Sequence, residues 1–157
     1  MYGYAKAKGI HFDYYGIDIN ENLIKEGKKR YPDAALQTMD ILSGGLDRKF
    51  DYILSSGVHN FKRSDNWSYI EETFNIFDKH SILSFAVNFI SNKVDFKKED
   101  LYYSDPKDVL NLAYKYSNRV VLRNDYMPFE FTVFVNKQKD FDKNLAVYPE
   151  YISLVKA

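Results

Sequence analysis

The chain has 157 residues, 45% of them hydrophobic, which is enough for one domain with a sizeable buried core. Its 22 Lys and Arg residues balance its 22 Asp and Glu residues, so no overall charge indicates nucleic acid or an anionic membrane as a partner. With no cysteine and three scattered histidines, the sequence predicts neither disulfides nor a metal site, and we expect a cytoplasmic protein.

The N-terminal residues are predicted to hold the end of a helix followed by a strand. Residues 2–8 are typical of the last turns of a helix, and Gly9 is a natural stop because glycine tolerates the left-handed conformation. Residues 12–19 cluster aromatic residues and isoleucine. This pattern predicts a strand that is buried on both faces and ends near Asp18.

A capped helix is predicted to follow this strand. Asn20 is a suitable N-cap residue, and Leu23 and Ile24 are expected to share the inward face. Pro32 then ends the helix, because the residue before a proline avoids helical backbone angles.

Two further strands are predicted on either side of a glycine-containing loop. Residues 35–41 form the first of them, which we expect to end at Asp40 and Ile41. Residues 50–57 run from an apolar stretch into a polar end, which is typical of a central parallel strand that stops at a ligand-facing edge.

The second half of the chain continues with a helix, a strand and a helix. Residues 65–79 repeat apolar side chains at helical spacing, and residues 81–90 read as a buried strand that is too short to cross a bilayer. Asp105 followed by Pro106 is a strong helix start, because it combines a capping oxygen with a residue already held at helical φ.

The last predicted element is a β-hairpin. Residues 119–125 and 129–137 read as strands joined by a three-residue link, and the second strand alternates apolar and polar positions. No linker is visible before it. We therefore predict one domain over residues 1–137 and a C-terminal tail over residues 138–157.

Alternating strands and helices favour an α/β fold with a parallel sheet, in which ligands bind at the carboxyl ends of the strands. Asp18 lies at such an end. Its carboxylate can accept both hydroxyls of a ribose, although a capping or loop acid explains this residue equally well. Asp40 and Ile41 can contact an adenine ring, but a solvated turn aspartate is the more frequent case.

The end of the strand at 50–57 supplies further candidates. Ser55, Ser56 and Gly57 let the backbone approach a ligand, as a plain strand-to-loop transition also does. His59 follows them. It is a candidate general base because its unperturbed pKa is near ~6.5, although a loop histidine without catalytic duty is commoner.

The stretches "YYGIDINENLIKEGKKRYP", "LQTMDI", "FDYILSSGVHNF" and "RNDYMPFEFTVFVNK" occur in this order. Together they resemble the class I methyltransferases that use S-adenosylmethionine, and the resemblance covers about residues 3–137. The terminal hairpin distinguishes that family from nicotinamide-binding Rossmann domains. The resemblance implies a Rossmann-like methyltransferase sheet, mostly parallel, with a C-terminal antiparallel hairpin.

The resemblance also implies roles for individual residues in binding S-adenosylmethionine. Asp18, followed by Ile19, matches the ribose-binding acid after the family's second strand. Asp40 and Ile41 match the pair that contacts adenine. Ser55, Ser56 and Gly57 match the loop after the family's fourth strand.

One part of the family pattern does not match this sequence. The family's first strand and its glycine-rich turn, which approach the methionine part of the cofactor, should precede residue 1. We therefore expect an incomplete domain whose first strand is missing. By itself such a chain should bind S-adenosylmethionine weakly or not at all, and should self-associate through the strands left unpaired at 12–19 and 50–56.

The implied activity is methyl transfer from S-adenosylmethionine to an unidentified acceptor by the complete protein. Two alternatives stay open. A nicotinamide-dependent oxidoreductase would use Asp18 in the same way, and a non-catalytic subunit or pseudoenzyme would need no complete pocket. Residues 91–108 are longer and more charged than a minimal connection. We expect them to cover the acceptor site, although a solvated excursion is an equal alternative.

Overall fold

The structure is a computed structural model that describes residues 1–138. The chain divides into two compact units, the first ending at Asp47 and the second beginning at Arg48. The sequence prediction placed no boundary there, because neither composition nor a Pro/Gly linker marks it. Nearly all of the predicted C-terminal tail lies outside the described residues.

The first unit contains three helices and a two-stranded parallel sheet. Strands β1 and β2 pair over four residues, with Tyr15 opposite Ala35. The strand predicted at 12–19 is shorter than expected, and its side chains are half-buried rather than buried on both faces. The elements are α1 (Tyr2–Ala7), β1 (Tyr15–Asp18), α2 (Glu21–Arg30), β2 (Ala35–Thr38) and α3 (Ile41–Gly44).

Helix α2 starts as predicted but presents a narrower inward face. The Asn20 side chain accepts hydrogen bonds from the N–H groups of Asn22 and Leu23, which confirms the cap. Ile24 is buried, whereas Leu23 is 60% exposed. The prediction that both face inward was wrong, because successive helical residues point about 100° apart and this helix covers only a small sheet.

Helix α1 is tied to the turn before β2 by one carboxylate. Asp33 accepts hydrogen bonds from the Lys6 ammonium at 2.6 Å and from the Tyr2 hydroxyl at 2.7 Å. The hydrogen bond from Lys6, followed by that from Tyr2, lowers the pKa of Asp33 to about 2. The Tyr2 ring also packs against Phe12, Tyr14 and Tyr31, so aromatic contacts reinforce the polar ones.

The second unit is built on a four-stranded mixed sheet in the order β3-β4-β6-β5. Strand β3 runs parallel to β4, whereas β6 is antiparallel to both β4 and β5. The predicted α/β architecture, with parallel strands and a C-terminal antiparallel hairpin, is confirmed. The elements are β3 (Phe50–Ser55), α4 (Asn66–His80), β4 (Ser81–Ile90), α5 (Pro106–Ala113), β5 (Val120–Arg123) and β6 (Glu130–Asn136).

Strand β6 lies between β4 and β5 and alternates as predicted. Phe131, Val133 and Val135 are fully buried, while Phe134 on the opposite face is partly exposed. The prediction that this strand and its alternation begin at residue 129 was wrong, because the strand begins at Glu130 and Phe129 is an exposed residue with φ of 69°. The connection between the two strands is accordingly longer than the predicted three residues.

Both long helices of the second unit pack on the same face of its sheet. Helix α4 buries Ile70, Phe74 and Phe77, and the Phe74 ring contacts Phe85 of β4 edge to face. Trp67, in the first turn of α4, is only half-buried. Asp65 and Asp105 cap α4 and α5 through their side chains. None of the helices within residues 1–138 is long and apolar enough to cross a membrane.

Two valines of the hairpin allow a matched test of this packing. Val133 is 0% exposed and Val121 is 54% exposed. We expect Val133→Ala to lower the free energy of unfolding by about 2 kcal/mol, because it removes buried methyl groups and leaves a cavity. Val121→Ala should change it by less than about 0.5 kcal/mol. Urea denaturation followed by circular dichroism measures both, and equal losses would contradict the assigned register.

Candidate functional site

Asp18 ends β1 at the carboxyl edge of the first unit's sheet. One oxygen of its carboxylate accepts a hydrogen bond from the Asn20 N–H at 2.8 Å, which turns the chain into α2. Its second carboxylate oxygen has no hydrogen-bond partner among residues 1–138. The neighbouring Ile19 is 65% exposed. The strand end therefore offers a free acceptor beside an apolar surface.

Asp40 and Ile41 lie at the start of a helix rather than at the end of a strand. Strand β2 stops at Thr38, and Asp40 caps α3 by accepting a hydrogen bond from the Leu42 N–H at 3.0 Å. An aspartate before an apolar run satisfies unpaired helical N–H groups, and this competes with extending the strand. Contact of this pair with a cofactor stays a prediction.

The second unit places Ser55, Ser56 and Gly57 at the carboxyl end of β3. Ser55 is the last strand residue, and Gly57 adopts a left-handed conformation with φ of 76°. A side chain at position 57 would be strained by this φ, so the turn that leaves the strand requires glycine. Ser56 and Val58 on either side of it are exposed.

His59 is enclosed instead of facing solvent. Only 1% of it is exposed, and its ring stacks on Phe89 with centroids 5.1 Å apart and lies 5.3 Å from the Tyr69 ring. Neither ring nitrogen has a hydrogen-bond partner among the residues that the structure describes. Burial, and to a smaller extent the Arg63 charge, lowers the pKa of His59 to about 4. The imidazole is therefore neutral at pH 7.

The loop after β3 is joined to the long segment that follows β4. The Asn60 side-chain oxygen accepts from the Ile90 N–H at 3.0 Å, and its carbonyl accepts from the Tyr102 N–H at 3.0 Å. Phe61 forms an antiparallel bridge with Leu101. These contacts bring the predicted acceptor-site segment against the residues that follow Ser55–Gly57.

The fold is shared with solved methyltransferase structures of low sequence identity. The N-methyltransferase NodS of Bradyrhizobium japonicum, solved with S-adenosyl-L-homocysteine, matches at 12% identity with a TM-score of 0.63, over 85% of this chain and 73% of that one. Magnesium protoporphyrin IX methyltransferase of Synechocystis matches at 12% identity with a TM-score of 0.62. That match covers 79% of this chain but 64% of the other, less than two thirds of its length.

A relative at higher identity decides the family. No family model matches the chain. Rv1506c of Mycobacterium tuberculosis, which carries a provisional methyltransferase name, is 32% identical over 141 residues, 85% of this chain and 84% of the relative. The chain belongs to the methyltransferase family of this relative, and it shares its fold with methyltransferases solved with S-adenosylhomocysteine. In this methyltransferase the Asp18 strand end belongs to the first unit, and the β3 turn and His59 belong to the second.

The sequence reasoning missed a groove of about 400 Å³ in the second unit of the methyltransferase. Residues 91–108, which include Tyr102 and Tyr103, were expected to cover the acceptor site, but the lysines among them were not singled out. Lys97 and Lys98 stand close to these tyrosines in the sequence, which is a local signal. Lys62 joins them only through the tertiary fold. The groove is lined by Lys62, Lys97, Lys98, Glu99, Leu101, Tyr102 and Tyr103.

Burial of His59 predicts an acid-sensitive fold. In the unfolded chain the His59 imidazole binds a proton below pH 6.5, whereas in the folded protein it stays neutral down to about pH 4. The free energy of unfolding should therefore fall as pH drops through this window, by about 2 kcal/mol at pH 5 relative to pH 7.5. His59→Phe should remove most of this dependence.

The measurement is urea denaturation of the wild type and of His59→Phe at pH 5 and pH 7.5. His11→Gln is the matched control, since His11 is an exposed histidine. The free energy of unfolding of this control should depend on pH as that of the wild type does. If His59→Phe lost as much stability at pH 5 as the wild type does, the enclosed neutral state of His59 would be excluded.

Proposed function

We propose that this protein binds S-adenosylmethionine and takes part in transferring its methyl group to an acceptor. The observation that carries the proposal is the Asp18 carboxylate, which ends β1 with one oxygen uncommitted beside the exposed Ile19. A ribose presents two adjacent hydroxyl donors, and an ionised carboxylate accepts without donating. Family membership and the cofactor product bound to the NodS structure support the same assignment.

Each of the two units has residues whose chemistry suits this cofactor. Asp18 would hold the ribose hydroxyls, and Ile19 would supply an apolar surface to the adenosine. In the second unit, the left-handed turn at Gly57 would let the backbone approach the ligand without a side chain in the way. Asp40 and Ile41 would contact the adenine ring, with Asp40 already oriented by its hydrogen bond to the Leu42 N–H.

When bound, S-adenosylmethionine supplies a methyl carbon made electrophilic by the attached sulfonium. What the chain must add is chiefly alignment, because in-line displacement at carbon depends on holding the two reactants at close range. A nucleophile that carries a proton also needs somewhere to release it. His59 is the candidate base. Both nitrogens of its neutral ring lack partners within the described part of the chain, so the ring can accept a proton only from a group brought into its enclosure.

The antiparallel strand β6 between β4 and β5 argues against the nicotinamide-dependent alternative, which normally lacks such a hairpin. The non-catalytic alternative makes a different prediction. A pseudoenzyme that keeps the scaffold without the pocket would show no cofactor binding that depends on Asp18.

Two substitutions separate the ligand role of Asp18 from its structural role. Asp18→Asn keeps an oxygen for the Asn20 N–H while removing the charge and the second acceptor oxygen, whereas Asp18→Ala removes both functions. We expect each to weaken S-adenosylmethionine binding about ten- to a hundredfold, since hydrogen bonds to a charged group are worth about 1.5 to 3 kcal/mol. Only Asp18→Ala should also destabilise the fold.

Calorimetric titration measures these affinities, and saturation-transfer NMR extends the comparison to weak binding. Asp13→Asn is the matched control, because Asp13 is an exposed acid shortly before the same strand. It should bind like the wild type. If Asp18→Asn bound S-adenosylmethionine as tightly as the wild type does, or if no binding were detected, the proposed function would fail.

A further inference from the structure

The groove bounded by Lys62, Lys97 and Lys98, hereafter the lysine groove, combines an apolar floor with positive charge. Leu101, Tyr102 and Tyr103 are half-buried, while the three lysines and Glu99 are exposed at its rim. Its volume of about 400 Å³ suits a small molecule. Three lysines and one glutamate line the groove, so the charges of its lining sum to a positive value although the whole chain is neutral.

The backbone walls of the lysine groove are held by hydrogen bonds. The Lys62 N–H donates to the Asp100 carbonyl at 3.0 Å, beside the bridge between Phe61 and Leu101. The Tyr103 hydroxyl accepts from the Lys98 N–H at 2.8 Å. A ligand would therefore meet a largely preformed site, which reduces the entropy lost on binding.

The lysine charges of the groove have no carboxylate partners in the described part of the chain. Within residues 1–138, none of Lys62, Lys97 and Lys98 forms an ion pair with a carboxylate. Lys97 lies over the Tyr103 ring, with its Nζ 5.5 Å from the ring centroid. Uncompensated cations above an aromatic floor favour an anion that carries an apolar body.

A second groove in the same unit provides a contrast. It measures about 530 Å³ and is lined in part by Trp67, Glu71, Asp108 and Lys115. Lys115 is paired with Glu71 at 3.2 Å, which leaves the Asp108 charge to repel anions. An anionic ligand should therefore select the lysine groove.

We propose that the lysine groove is the acceptor site and that the acceptor is an organic anion with an aromatic or aliphatic body, such as an aromatic carboxylate. This inference rests on the proposed methyl transfer. A carboxylate oxygen would attack the methyl carbon, the bond between that carbon and sulfur would break, and its electron pair would go to sulfur. The products are a methyl ester and S-adenosylhomocysteine, and no proton is released.

The placement of His59 agrees with this choice of acceptor. An acceptor that is a hydroxyl group or a protonated amine must lose a proton and needs a base for it. His59, the candidate base, is enclosed by Phe89 and Tyr69 rather than open to solvent. An acceptor that is already ionised requires no base. The loop hydrogen bonds of Asn60 place the lysine groove next to the carboxyl ends of β3 and β4.

The test compares 2-naphthoate with its neutral isostere 2-naphthamide by saturation-transfer NMR titration. The wild type should bind 2-naphthoate at least about tenfold more tightly, and added salt should weaken that binding. The double variant Lys97→Gln, Lys98→Gln should lose about tenfold in 2-naphthoate affinity, as expected for two exposed charge contacts. The control Lys107→Gln, an exposed lysine in α5 outside the groove, should bind like the wild type.

Equal binding of the two probes, or unchanged 2-naphthoate affinity in the double variant, would overturn the inference. The same samples are titrated with S-adenosylmethionine. Cofactor binding without selective 2-naphthoate binding would remove only the acceptor assignment. Selective 2-naphthoate binding without cofactor binding would remove the proposed methyl transfer, and with it the groove's role as an acceptor site.

Discussion

Strand β4 is hydrogen-bonded along both of its edges, and the second unit depends on this arrangement. Strand β3 lies parallel along one edge, and β6 runs antiparallel along the other from Ser84 to Ile90. Phe85, Val87 and Phe89 point from it toward the two covering helices and are almost completely buried. Because β4 is paired on both sides and packed against helices, its position determines where the loops at its carboxyl end can lie.

In the second unit, the loops that carry residues with candidate functions are hydrogen-bonded to the carboxyl end of β4. The Asn60 side chain holds the loop after β3 against the Ile90 backbone, and Ser91 bridges to Ser104 at the far end of the long segment. Asn92 donates a hydrogen bond to Asp105, which also caps α5. Loops fastened in this way by a rigid strand are suitable for positioning a ligand, since neighbouring side chains keep fixed separations.

Features with a local cause were predictable from the sequence. The caps at Asn20 and Asp105 depend on residues two or three positions away, and the alternation of β6 is visible within seven residues. Asp40 was misread because an aspartate before an apolar residue fits a strand end and a helix cap alike. The enclosure of His59 and the grouping of Lys62 with Lys97 depend on tertiary contacts, and no spacing in the sequence records these contacts.

Trp67 is the single tryptophan of the chain, and it lines the groove between α4 and α5 together with Tyr102. Its half-buried indole lines this groove with the Asp108 carboxylate and with Tyr102, a tyrosine that also lines the lysine groove. When the indole is excited selectively, the intrinsic fluorescence therefore reports only on the surroundings of Trp67. Its emission wavelength should follow rearrangement of the segment carrying Tyr102, while the many tyrosines elsewhere contribute nothing to that signal. The fold thus contains a built-in optical reporter beside its longest connecting segment.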